Sequence, residues 1–142
     1  VERFAATRLA ERGVAPDELL EADRALSEAL SAESRHGLVA ADIAFHAALV
    51  SQVGSERLTA MHRSILAEIE MTIGLLSAHG PAPRESVPSE HASIIEAIAA
   101  GQPAAAGRQL DAHLDAARRR LLARLDDVQV VPTGARAPRK GE

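Results

Sequence analysis

Apolar residues recur at helical spacing along most of the chain, and no stretch alternates cleanly enough to make a strand. Breakers divide the pattern into about six helices. The first spans 1–12 and ends at Gly13, and the second spans 16–32 with Pro16 in its first turn, where a missing N–H breaks no helical hydrogen bond. A third covers 36–53 and stops at Gly54. Ser55 is placed to cap the fourth, with Glu56 in its first turn, and the periodicity continues to Ser77. Gly80, Pro81 and Pro83 make 79–87 a loop. A fifth helix covers 88–100 before Gly101, and Pro103 opens a sixth that reaches Asp127. From Val128 onward the helical pattern is lost. The chain therefore reads as one all-α domain over 1–127 and a disordered tail over 128–142.

Certain polar residues fall on faces that should be buried. The inward set of the third helix is Val39, Asp42, Ile43, His46, Leu49, Val50 and Val53, so an aspartate and a histidine one turn apart share the apolar stripe. In the fifth helix His91 heads the stripe of Ile94, Ile95 and Ile98. In the sixth, His113 lies beside the seam formed by Leu110, Leu114, Ala117, Leu121 and Leu125. Left without partners, such groups would each cost on the order of 1–3 kcal/mol. Three neutral imidazoles and a carboxylate offer more acceptors than donors, so a shared divalent cation would satisfy them together. Periodicity alone leaves a metal-free polar network equally open. The other histidines are not expected to be ligands: His36 lies near a helix start, His79 in the loop, and His62 at the margin of the fourth helix's stripe of Leu58, Met61, Ile65, Ile69, Ile73 and Leu76.

Composition narrows the chemistry. The chain has 142 residues, enough for one domain, and its 46% apolar content is almost wholly Ala, Leu, Ile and Val, with Phe4 and Phe45 the only aromatic residues besides histidine. That favours closely packed helices over a β-sandwich. Cysteine is absent, which excludes disulfides and thiolate sites and makes the cytoplasm the expected compartment. No apolar run approaches the roughly 20 residues needed to span a bilayer, and the charged opening does not fit a signal peptide. The net charge is −4, and basic residues gather only at Arg118, Arg119, Arg120 and Arg124 and at Arg136, Arg139 and Lys140. DNA binding by this chain alone is not expected.

Asp42-Ile43-Ala44-Phe45-His46, followed by Leu49, Gly54 and Leu58, resembles a segment of the FadR-type C-terminal effector-binding domain (FCD) of GntR-superfamily transcription regulators. Glu90-His91 with Ile94, Ile95, Ala97, Ile98 and Gly101, then Ala105 or Ala106 and His113-Leu114, is similar to that domain too. So is the opening Glu2, Ala5, Ala6, Leu9 and Ala10, and the likeness runs from residue 1 to about 126. It implies an antiparallel helical bundle with a central cavity for a metal and an effector. Asp42, His46, His91 and His113 would be the ligands of a divalent ion, zinc foremost, with nickel or manganese as alternatives. The implied partners are a small carboxylate effector and a second copy of the chain. DNA would be met only through a winged helix-turn-helix domain that is absent from this sequence, and no membrane is involved.

Arg84 and Arg63 are the candidates to clamp the effector carboxylate. Ser55 and Gln102 replace the family's usual Asn and Asp, and both lie away from the proposed site. The resemblance implies a sensor without catalysis. The alternatives are a metal-free helical dimerisation module and a metal-dependent hydrolase. For the hydrolase the nearest base is Glu90, about 100° around the helix from His91.

Overall fold

A computed structural model describes residues 1–76 and 86–129. Six helices form a bundle: α1 (Glu2–Ala10), α2 (Asp17–Ser31), α3 (Arg35–Ser51), α4 (Glu56–Leu76), α5 (Val87–Ala99) and α6 (Pro103–Gln129). No strand occurs among the described residues. Local chemistry sets the ends. Ser34 caps α3 by accepting the Gly37 N–H at 3.1 Å, and Ser55 does the same for α4 through the Leu58 N–H at 3.4 Å. After α1, α3 and α5 the chain turns at Gly13, Gly54 and Gly101, whose φ values of 68°, 81° and 63° disfavour a side chain. The expected loop over 79–87 lies largely outside the described residues, as does the expected tail from 130 onward, while α6 runs two residues past its predicted end.

α1 packs mainly on α6, α2 on α3, α5 on α6 and α4 on α3. The core is built from Ala5, Ala6 and Leu9 of α1, Phe45 and Leu49 of α3, Ile94 and Ile98 of α5, and Leu110 of α6. Burying each large side chain is worth about 1.5–3 kcal/mol. Small residues let α1 and α6 approach closely: a Cβ on buried Gly107 would stand 3.3 Å from the Thr7 hydroxyl. Arg3 of α1 also pairs with Asp111 of α6.

The fourth helix departs from the sequence reading. Met61 and Ile65, predicted to face inward, are 50% and 46% exposed, while the supposedly marginal His62 and its neighbour Leu66 are 3% and 5% exposed. The cause is a helix that is apolar on two sides. Packed chiefly on α3, α4 can bury only one of them, and it buries the side on which His62 finds a hydrogen-bond partner in α1. Leu114 of α6, also placed in an inward seam, is 37% exposed.

Candidate metal centre

Asp42 and His46 stand one turn apart on α3, His91 lies in the second turn of α5, and His113 lies midway along α6. Packing brings the four together, with one potential ligand atom from each inside a sphere of mutual distances below 4.8 Å. His46, His91 and His113 are buried and Asp42 is half-buried. The Nε2 atoms of His46 and His113 are 3.1 Å apart, and His91 Nε2 lies 3.3 Å from Asp42 Oδ1 without hydrogen-bond geometry. Both ring nitrogens of His91 are buried without a hydrogen-bond partner. Phe45 stacks on the His91 ring, with centroids 3.7 Å apart and planes 12° from parallel, and so fixes its orientation.

Behind the cluster stand two carboxylates. His46 Nδ1 donates to Glu2 Oε2 at 2.6 Å, and the other oxygen of Glu2 accepts from His62 Nε2 at 2.8 Å. His113 Nδ1 donates to Glu90 Oε2 at 2.7 Å, and Arg120 grips both oxygens of Glu90 at 3.0 and 3.1 Å. A protonated Nδ1 assigns each ring its tautomer, so in neutral His46 and His113 it is the Nε2 lone pairs that face each other. Two lone pairs at that separation repel unless an electrophile lies between them. The donor set therefore suits a cation: imidazole nitrogens backed by carboxylates, joined by a carboxylate oxygen.

The electrostatics set the protonation states around the cluster. Burial pushes the Glu2 carboxyl up, but the hydrogen bonds and charges of His46 and His62 outweigh it and bring the pKa down to about 2. Burial likewise opposes ionisation of Asp42 and Glu90. The surrounding histidines hold Asp42 below the ordinary carboxylate range, and Arg120 with His113 does so for Glu90. Burial, together with the neighbouring His46 and His91, lowers the His113 pKa to about 4, which leaves its ring neutral at pH 7. His46 moves the other way: burial lowers it, but Glu2 and Asp42 prevail and raise it.

A cavity of about 360 Å³ reaches the cluster, with Asp42, His46 and His113 on its wall. His91 is not on the wall. Of the arginines singled out in the sequence, Arg63 is exposed on α4 away from this wall, and Arg84 lies outside the described residues. The arginines on the wall are Arg35, Arg118, Arg120 and Arg124. A larger hollow of about 460 Å³ between α3 and α4 shares Arg35 and Val39 with it but touches none of the four clustered residues. Sequence reasoning also missed Glu2, His62 and Phe45 as parts of the site. Glu2 is 44 residues from His46, beyond any helical spacing rule, and its only signal was its place in the family-like opening.

No curated protein and no solved structure matches this sequence. A family model, described as FCD domain, matches residues 1–116. Since that match covers most of the sequence and all four clustered residues, the chain belongs to the FCD family, the effector-binding domains of GntR-family regulators.

Proposed function

We propose that this domain is the sensor of a FadR-type transcription regulator. It binds a divalent metal through Asp42, His46, His91 and His113 and a small organic acid beside it, and it thereby biases DNA binding by a winged helix-turn-helix domain. The observation that carries the reading is the facing pair of Nε2 atoms, 3.1 Å apart, with both Nδ1–H groups committed to carboxylates. A metal-free network would have to hold a proton between those two nitrogens, and would leave His91 with only its 3.3 Å approach to Asp42 and its Nδ1 without a partner. The metal would supply a Lewis acid for an effector carboxylate at the cavity wall. Nitrogen-rich ligation favours zinc, with nickel and manganese as alternatives.

Sensing is favoured over hydrolysis because both glutamates near the cluster already accept hydrogen bonds from histidine Nδ1 groups, and neither is placed as a general base. The outer face of α4, with exposed Met61, Ile65 and Ile69, supports a homodimer.

The test is metal content in the purified protein, with melting temperature measured with and without chelator beside His113→Ala. About one equivalent of divalent metal, with a chelator-sensitive melting point in the parent and an insensitive one in the variant, is the expected result. No metal as purified, and no response to added zinc, nickel or manganese, would overturn the proposal.

A further inference from the structure

The cavity extends well beyond the histidine cluster. On α3 its wall runs from Asp42 back to Arg35, about 10 Å along the helix axis at about 1.5 Å per residue. The wall beyond the cluster is mostly an aliphatic belt: Leu38, Val39 and Ile43 come from α3, Ile69 and Ile73 from α4, and Leu121 from α6. Among the described residues, no side chain on the wall carries a hydroxyl or an amide.

The charged groups on the wall are already engaged. Glu2 accepts from His46 and His62, Arg120 holds Glu90, and Asp42 belongs to the candidate metal centre. Arg35 and Arg124 have interaction partners of their own, and Arg118 is exposed, where water solvates it. A second acidic group in the cavity would therefore have to compete with an existing interaction. A hydroxyl would lose its water without meeting a hydroxyl or amide side chain to replace it. A methylene chain incurs neither cost and gains from leaving water, about fourfold in affinity for each group fully buried. The cluster is different, because its donor set suits a cation and three of its members, Asp42, His46 and His113, stand on the wall. One acidic group can be held there.

We infer that the effector is an amphiphilic monoacid, with its single carboxylate at the metal cluster and an aliphatic tail without hydroxyls lying along the belt formed by α3, α4 and α6. This rests on the reading of the cavity as the effector site and deepens it. The belt sets the selectivity: affinity rises with tail length and falls when the tail carries a second charge or a hydroxyl.

The experiment titrates the zinc-loaded protein by calorimetry with butyrate, hexanoate, 3-hydroxyhexanoate and adipate. Adipate replaces the terminal methyl of hexanoate by a carboxylate, and butyrate is shorter by two methylenes. Hexanoate is expected to bind about tenfold more tightly than each of the other three, the scale of two buried methylenes or one stranded polar group. Val39 lies three residues before Asp42 on α3, so Val39→Asn puts an amide into the belt one turn from the cluster. In that variant hexanoate should lose most of its advantage over butyrate, with zinc content unchanged. Adipate or 3-hydroxyhexanoate binding as tightly as hexanoate, or no gain from butyrate to hexanoate, would overturn the monoacid inference and leave the sensor reading standing. If zinc binds but none of the four acids does, the effector reading falls as well.

Discussion

Glu2 joins three helices through one side chain: it sits on α1, accepts from His46 on α3 and accepts from His62 on α4. Carboxylates in this position fix the ligand's tautomer and aim, and their removal typically weakens metal affinity by about 10- to 100-fold. Glu2→Gln should show that loss in a chelator competition assay, and His62→Gln a smaller one. The pH response follows from the same groups. A carboxyl held at about 2 against its ordinary 4.5 contributes stability above pH 4.5 that disappears as the pH falls towards 2. His113, held at about 4 against 6.5, takes up its proton later than the unfolded chain does, so stability also declines as the pH falls from 6.5 to 4. His46, raised, acts in a higher window: its contribution is fully present below pH 6.5 and is lost as the pH rises through its folded value. Melting of the metal-free protein should therefore move down on acidification below pH 6.5, and Glu2→Gln should flatten the portion below 4.5. Asp42, His46, His91 and His113 were legible in the sequence because each is polar on an apolar face. Their supports were not, because Glu2 and Glu90 sit at ordinary helix-start positions and meet the histidines only after folding.

At the scale of elements, the helices themselves were readable to within two or three residues, since glycines and cap residues mark their ends. The facing of α4 was not, because periodicity can state that a helix has an apolar side but cannot choose between two. Leu66 lies on the side that is buried, so Leu66→Ala should cost about 2–5 kcal/mol, measured by denaturant unfolding. Met61→Ser and Ile65→Ser lie on the other side. They should leave the unfolding of the isolated subunit almost unchanged and raise the dimer dissociation constant in sedimentation. A lowered unfolding stability in these two variants, with the dissociation constant unchanged, would mean that this face is internal to the subunit.

For the molecule as a whole, a ligand that binds only the folded state adds about 2.7 kcal/mol of stability at a hundredfold excess over its dissociation constant, so metal should raise the melting temperature measurably. The position of α4 gives that stabilisation a direction. Leu66, Ile69 and Ile73 line the cavity, and Ile69 is also 38% exposed, on the same side of the helix as Met61 and Ile65. One helix thus lines the cavity and also bears the exposed apolar face proposed to meet a second subunit, and it packs only lightly on α6. Thermodynamic reciprocity then works in both directions: whatever factor an occupant applies to subunit association, association must apply to the occupant's affinity. On the proposed reading, the concentration of the protein itself would then set its sensitivity to an effector.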